Sequence, residues 1–278
     1  MRIAITGASG SLANDIIPGL VALGHTIVAI DVRGTNGERP GVREVVCSVN
    51  DRPALAAAID GCDAVVHLAG IPLEAEWSEI LSVNVDGTQA ILEAARERGV
   101  ARVVLASSIH AAGFVPTPEP GGSVPDDVQV SPNTFYGASK AMAEALGALY
   151  HARHGMDVVC LRIASRFARP ENERMLSTWL SPGDATRLVQ AALTVPDPGF
   201  RLVWGVSANR ASVFSREGGN DIGYHPQDDA ADHAAEVAEL VRDDPTLALS
   251  EWDRNYIGGV FSSPQPPRFV PFAERGQS

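Results

Sequence analysis

Short, nearly continuous apolar runs alternate along the first 165 residues with longer segments in which apolar positions recur at helical spacing. The apolar runs predict β-strands at residues 2–6, 26–30, 43–46, 63–68, 102–107 and 157–163. Strands of a parallel sheet are covered on both faces, so they are apolar throughout instead of alternating with polar positions.

The segments between these runs have helical patterns, at residues 11–24, 51–61, 77–99 and 134–155. Asp51 is a candidate N-cap, and Pro53 follows in the first turn, where a missing N–H costs little. Arg98 and Gly99 form a typical helix end. Repeated strand–helix units predict an α/β protein with a doubly wound, Rossmann-type parallel sheet.

After residue 165 the pattern is less regular. It predicts a helix at 183–195, a strand at 201–207 and a helix at 230–244, followed by a proline-rich, irregular tail at 262–278. This part has no core pattern of its own. We therefore expect residues 166–278 to form a small C-terminal appendage packed on the main domain.

Composition narrows the classes of partner. The 278 residues are 45% hydrophobic and 20% charged, as in an ordinary globular protein, and the net charge is −12. An acidic chain lacks the basic surface that nucleic acid requires, so we predict no such partner. An anionic substrate would need local cations to hold it against the overall field.

Apolar runs and cysteines bear on the compartment. No apolar run approaches the roughly 20 residues of a membrane span, and no signal-peptide pattern precedes the first strand. Cys47, Cys62 and Cys160 are odd in number and lie in apolar surroundings, which predicts free thiols in a reducing compartment. We expect a cytoplasmic protein without a membrane partner.

The turn after the first strand reads TGASGSLA. Gly7 and Gly10 allow a tight turn and bring backbone N–H groups close to a pyrophosphate at a helix N-terminus, while Ala13 is small enough for helix–strand packing. This context predicts that residues 1–165 bind a dinucleotide and that residues 166–278 form a substrate-binding or lid region. The candidate cofactor-binding residues are Gly7, Gly10, Ser11, Leu12, Asp31, Val32, Ser48, Val49, Leu68, Ala69, Gly70, Asn84, Tyr136, Lys140 and Ile163.

Asp31 ends the second strand, where a carboxylate can accept hydrogen bonds from ribose hydroxyls and repel a 2′-phosphate. This favours NAD over NADP, although Arg33 lies two residues further and could receive a phosphate. His67, at the end of the fourth strand, is more typical of a hydrogen-bonded structural histidine than of a catalyst.

Tyr136 and Lys140 in YGASK lie on one helix face. A free tyrosine has a pKa of about 10. We expect the ammonium group to lower the pKa of Tyr136, so that the phenol can take a proton from an alcohol as hydride leaves the same carbon. Ser108 ends the fifth strand and could hydrogen-bond the reacting oxygen. Each residue alone is common, but the set predicts the catalytic residues Ser108, Tyr136 and Lys140.

TGASGSLA, HLAG, NVDGT, ASS and YGASK occur in an order that resembles the extended short-chain dehydrogenases, over residues 2–165. The further stretches ASSIHAAGFVP, RMLSTWLS, LVWGVSAN, GYHPQDDA and GGVF resemble the uronate dehydrogenases along nearly the whole chain. That resemblance implies NAD-dependent oxidation of an aldohexuronic acid, such as glucuronate or galacturonate, at C1 to the aldaro-lactone.

The resemblance also implies roles at the substrate. Tyr136 would be the base at the anomeric hydroxyl, supported by Lys140, and Ser108 would polarise that oxygen. His110 would line the sugar pocket, Ser165 would hydrogen-bond the uronate, and Arg174 would bind its carboxylate. A lone arginine is by default a surface charge, so the assignment of Arg174 depends on this context.

Three positions depart from the pattern of the uronate dehydrogenases. Pro72 replaces a serine and Ile109 replaces an asparagine, both at positions that face the sugar in that family, and Ser48 stands where an aspartate often reaches the adenine. Loss of two polar contacts can change substrate preference strongly.

Two alternatives remain open on the same scaffold. The first is a nucleotide-sugar epimerase or dehydratase, although the short region after residue 165 leaves little room for a nucleotide-diphosphate pocket. The second is a non-enzymatic NAD-sensing protein, which would have no use for Tyr136 and Lys140.

His151 and His154 lack further ligands, so we predict no metal site. By analogy of fold we expect a homo-oligomer formed through the long helices.

Overall fold

A computed structural model describes residues 1–34 and 39–269 of the chain. Seven parallel strands form its central sheet. They are β1 (Arg2–Thr6), β2 (Thr26–Asp31), β3 (Val42–Val46), β4 (Ala64–His67), β5 (Arg102–Ser108), β6 (Asp157–Ile163) and, further along the chain, β9 (Phe200–Gly205). Each strand predicted from the apolar runs is confirmed, with bounds that differ by at most two residues.

The strand order in this sheet is β3-β2-β1-β4-β5-β6-β9, and every pair is parallel. The order reverses between β1 and β4, because the chain builds outward from β1 to β3 and then returns to the other side. In a doubly wound sheet, ligands bind at the carboxyl ends of the strands at this reversal. The predicted Rossmann-type α/β fold is confirmed.

Helices cover both faces of the sheet. Within the described residues the α-helices are α1 (Ser11–Ala22), α2 (Arg52–Ile59), α3 (Trp77–Ile80), α4 (Gly87–Glu97), α5 (Phe135–His154), α6 (Met175–Thr178), α7 (Pro182–Thr194), α8 (Glu217–Asp221), α9 (Ala234–Asp243) and α10 (Glu251–Asn255). Helix α7 packs with α1 on one face, while α2, α4 and α5 pack on the other. The apolar side chains of each layer bury the matching face of the strands.

The predicted helix at 77–99 is divided. A wider π-helical stretch at Leu81–Asp86 separates α3 from α4. Here the Thr88 hydroxyl donates to the Asn84 carbonyl oxygen at 2.5 Å, a bond that threonine side chains can make to the carbonyl four residues earlier in a helix. The widened turn places the Asn84 side chain against the loop after β4.

The part of the chain after residue 165 contributes to the sheet. Strand β9 lies at its edge, so a division at residue 165 does not coincide with the end of the sheet. Two short strands, β7 (Ser165–Arg166) and β8 (Trp179–Leu180), pair with each other, and α10 follows near the end of the described chain. Residues 270–278 of the predicted irregular tail lie outside the described residues.

Two further expectations can be compared with the described residues. Cys62 and Cys160 are buried, Cys47 is partly buried, and all three are free. Across residues 1–34 and 39–269, no helix combines the length and apolar character needed to cross a membrane.

Candidate active site

A large cavity of about 1230 Å³ opens at the carboxyl ends of the central strands. Every residue proposed from the sequence as a cofactor or substrate contact lines it except Asn84. Its position beside β1 and β4 is where the reversal of strand order predicts a ligand.

The glycine-rich turn forms one wall of the cavity. Gly7 has φ +70°, and a Cβ there would lie 2.7 Å from the Ala69 backbone nitrogen, so no larger residue fits. Gly10 precedes α1 and offers no side chain to cap it, which leaves the first N–H groups of α1 free to bind an external anion. This arrangement fits a pyrophosphate at a helix N-terminus.

Asp31 stands at the end of β2 in the same cavity. Its carboxylate accepts hydrogen bonds from the backbone N–H groups of Ser9 at 2.9 Å and Arg33 at 3.0 Å. These bonds hold the carboxylate at the place where a dinucleotide carries its adenosine ribose. Arg33 lines the same wall, so both groups that bear on the choice between NAD and NADP are present.

Asn84 lies behind the cavity wall. Its side-chain oxygen accepts from the Ile71 N–H at 2.7 Å, and its side-chain nitrogen donates to the Ile71 carbonyl and to the Ser139 hydroxyl. The amide therefore fixes the loop after β4 against α5, and Leu68, Ala69 and Gly70 of that loop line the cavity.

His67 is a structural residue. It is buried between the hydroxyl groups of Thr6, at 2.7 Å, and Thr88, at 3.2 Å, and it does not line the cavity. Burial, together with the nearby charge of Lys140, lowers the pKa of His67 to about 3, so the ring is neutral.

Helix α5 carries Tyr136 and Lys140 to the cavity from its first two turns. The Thr134 hydroxyl caps the helix by accepting from the Gly137 N–H, and the buried Glu74 carboxylate accepts from the Tyr136 N–H at 3.1 Å. Lys140 Nζ donates to the Ala106 carbonyl of β5 at 2.7 Å and lies 5.5 Å from the centre of the Tyr136 ring. Two hydrogen bonds at its start and one to the sheet thus fix the helix.

Ser108 and His110 complete this end of the cavity. Ser108 ends β5, and its hydroxyl accepts from the His110 N–H at 3.2 Å. The His110 ring packs on Phe261 and lies edge-on to Tyr136. Burial and, to a smaller extent, the charge of Arg174 lower the pKa of His110 to about 3, although Asn133 opposes the shift. His110 is therefore a neutral wall residue and not an acid.

Arg174 also lines the cavity, just before α6. Its Nη1 donates to the Ser165 hydroxyl at 3.2 Å and its Nη2 to the Ile257 carbonyl at 2.7 Å. Its Nε lies 3.4 Å from Asp253 Oδ1, and only 17% of the side chain is exposed. Burial lowers the pKa of Arg174 and Asp253 opposes this, so the guanidinium is held in the wall as a cation.

Comparison with known proteins assigns the chain to a family. The sequence model of the NAD dependent epimerase/dehydratase family matches residues 3–193. The chain belongs to this family.

Several members of the epimerase/dehydratase family are similar over most of their length. The uronate dehydrogenase of Pseudomonas syringae pv. tomato is 34% identical over 269 residues, which cover 95% of this chain and 94% of that protein. The L-arabinose 1-dehydrogenase (NAD(P)(+)) of Haloferax volcanii is 35% identical over 83% of this chain and 98% of that protein. Identity alone therefore does not separate acidic from neutral sugars.

A solved uronate dehydrogenase of Agrobacterium tumefaciens, a variant complexed with NAD, has a TM-score of 0.85 to this structure. It is 33% identical, and the match covers 94% of this chain and 96% of that chain. The predictions of NAD as the cofactor and of an NAD-dependent oxidoreductase are confirmed for this chain.

We expected Lys140 to lower the pKa of Tyr136, but the net change in this pKa is upward. Burial raises the pKa of Tyr136, and only the Ser108 hydroxyl opposes it. Burial also lowers the pKa of Lys140 to about 8. Desolvation is the largest cause of both shifts, because burial disfavours the charged form of each group.

The sequence did not indicate several cavity residues after residue 240. Asp253 on α10, Phe261 in GGVF and Phe269 near the end of the described chain line the cavity. Phe269 packs beside Tyr136, and its N–H donates to the Glu74 carbonyl at 2.7 Å. GGVF carried a family resemblance, but no local pattern pointed to Asp253 or Phe269.

The residues that depart from the uronate dehydrogenases also lie here. Pro72 and Ile109 both line the cavity, so two apolar side chains stand where sugar contacts were expected. Ser48 lines the same cavity, and its hydroxyl accepts a hydrogen bond from the Asn50 N–H at 3.1 Å. The histidines of the H-x-x-H pattern lie away from the cavity, and His151 bonds the Met156 carbonyl.

Proposed function

We propose that the protein oxidises an aldohexuronic acid, such as glucuronate or galacturonate, at C1 with NAD and forms the aldaro-lactone. The observation that carries the proposal is the largely buried Arg174, which lines the same cavity as Tyr136, Ser108 and Lys140. A buried guanidinium in a wall that faces a reaction centre is suited to a substrate that carries a carboxylate.

The hydrogen bonds of Arg174 leave donors for such a substrate. A guanidinium has five N–H groups. Among the residues that the structure describes, Nη1 donates once, to Ser165, and Nη2 donates once, to Ile257. Each terminal nitrogen therefore keeps one further N–H, which together can bind the two oxygens of a carboxylate. Ser165, held between Arg174 and Thr178, adds a hydroxyl at the same place.

The reaction requires a base at the other end of the sugar. Tyr136 Oη takes the proton of the C1 hydroxyl, Ser108 holds that oxygen by a hydrogen bond, and the C1–O bond becomes the lactone carbonyl. Bound NAD supplies the acceptor for the hydride from C1. Lys140, fixed by the Ala106 carbonyl, places an ammonium group where the phenol loses its proton and stabilises the phenolate.

A substrate panel tests the proposal. Initial rates of NADH formation are measured with glucuronate, galacturonate, their methyl esters and L-arabinose, and a UDP-sugar serves as the probe for the epimerase or dehydratase alternative. We expect kcat/KM for at least one free acid to exceed that for its uncharged ester by about 100-fold, since the ester cannot bind the guanidinium as an anion. Equal values for acid and ester, or turnover of neutral sugars alone, would reject an acid-binding site.

A further inference from the structure

Asp253 is a carboxylate in the wall of a cavity that we propose binds another carboxylate. Its Oδ1 lies 3.4 Å from Arg174 Nε, and the side chain is 9% exposed. Within the described residues, no other acidic side chain forms an ion pair with Arg174. The guanidinium thus has a counter-charge before any substrate arrives.

Asp253 is held in place by its own helix. Its Oδ2 accepts from both the N–H and the hydroxyl of Ser250, at 2.9 and 2.5 Å, as a capping box of α10. Its Oδ1 has no hydrogen-bond partner among residues 1–34 and 39–269 and is shielded from solvent. The interaction with Arg174 is therefore electrostatic, without a hydrogen bond that orients the guanidinium.

The close approach is built into the backbone. Gly259 has φ +61°, and a Cβ there would lie 2.3 Å from Asp253 Oδ1 and 2.4 Å from Arg174 Nε. The chain after α10 passes this pair only because residue 259 is glycine. Asp253 cannot swing away from Arg174 without breaking its bonds to Ser250.

A second carboxylate at Arg174 would share one positive charge with Asp253. A buried cation needs a counter-charge, so Asp253 stabilises the protein without substrate. Once an acid binds at the free N–H groups of Nη1 and Nη2, two negative charges lie near one guanidinium and repel each other. The charge of Asp253, which stabilises the protein without substrate, therefore weakens binding of the acid.

We propose that Asp253 is a specificity-determining residue that lowers the affinity of the cavity for anionic sugars by competing electrostatically for Arg174. This inference rests on the proposed oxidation of a sugar acid. It concerns charge and not shape, so it separates an acid from its uncharged ester.

The isosteric variant Asp253→Asn tests the inference. Asn keeps the acceptor for Ser250 and removes the charge. We expect KM for the free sugar acid to fall about tenfold, while KM for the methyl ester changes less than about twofold. We also expect a lower melting temperature without ligand, and a larger rise of melting temperature on addition of the acid than in the parent enzyme.

Glu251→Gln is the matched control, since Glu251 is exposed on the same helix and the substitution removes an equal charge. It should leave both KM values unchanged. Asp253→Ala provides a second reading of the ratio of KM for acid and ester, in case the amide variant folds poorly.

The outcomes separate the two proposals. If the parent enzyme oxidises neither sugar acid, the proposed function is wrong and the role of Asp253 falls with it. If the parent oxidises an acid but Asp253→Asn raises its KM, or shifts the KM of acid and ester alike, only the inference about Asp253 is overturned.

Discussion

Two buried arginines, Arg162 and Arg174, lie within one region of the fold and differ in how their donors are used. Arg162, on β6, is 1% exposed and binds both oxygens of Glu144, at 2.9 and 2.8 Å. Its Nη1 also donates to the carbonyls of Asp126 and Val128. Arg174 makes two hydrogen bonds and one ion pair without a hydrogen bond.

This difference separates a structural cation from one that we propose binds substrate. Four of the five N–H groups of Arg162 hold α5, β6 and the loop after residue 125 together, and the side chain does not line the cavity. Arg174 lines the cavity and, among the described residues, uses two of its N–H groups. A buried cation that spends most of its donors within the protein stabilises the fold, whereas one with several free donors at a cavity is suited to binding.

The largest effect is expected when the side chain of Arg162 loses its charge. Arg162→Met should lower the free energy of unfolding by about 3–5 kcal/mol, because it leaves the Glu144 carboxylate buried without its partner. Urea unfolding followed by circular dichroism measures the change. The double variant Arg162→Met with Glu144→Leu should regain much of the loss, since no unpaired charge remains. If the free energy of unfolding fell by less than about 1 kcal/mol in the single variant, the ion pair of Arg162 with Glu144 would contribute little to stability.

The second effect concerns Arg174, the proposed carboxylate-binding residue. Arg174→Met should raise KM for the sugar acid about 100-fold, which corresponds to about 2.7 kcal/mol, with little change in kcat, since the charge acts on binding and not on the proton transfer. Steady-state kinetics with acid and methyl ester measure it, and the ester should respond far less. Equal effects on both compounds would mean that Arg174 only supports the wall.

The smallest effect is a pH dependence that distinguishes the role of Tyr136 from that of Arg174. Burial raises the pKa of Tyr136, so the active phenolate becomes more populated as pH rises, and kcat should increase about tenfold per pH unit until about pH 8, where Lys140 loses the proton that stabilises the phenolate. Arg174 keeps its charge over the same range, so KM for the acid should stay nearly constant.

Ser108 supplies the control for that pH profile. Its hydroxyl lowers the pKa of Tyr136, so Ser108→Ala should move the rise of kcat to higher pH. A kcat that falls between pH 6 and 8, or a profile that Ser108→Ala leaves in place, would contradict a phenol acting as the base.

The fold could be predicted because its signal is local. Strands buried on both faces are apolar throughout, and the turn with Gly7 and Gly10 follows the first of them, so sheet and cofactor wall are evident from short stretches. The divided helix at 77–99 could not be predicted, since its widened turn depends on the contact of Asn84 with the loop after β4.

The site was predictable only where residues follow a family pattern. Ser108, Tyr136, Lys140, Ser165 and Arg174 all line one cavity, but their roles stay predictions. The proximity of Asp253 to the cavity could not be predicted from nearby residues, because it arises only when α10 packs beside Arg174. The pKa of Tyr136 also could not be predicted from the spacing to Lys140, because spacing does not report burial.

The bonds of Glu74 have a practical consequence for anyone who handles this protein. One residue ties the N–H of Tyr136 by its side chain and the N–H of Phe269 by its backbone. A truncation ahead of Phe269 would remove an aromatic side chain that packs beside Tyr136 and would loosen the loop that holds the start of α5.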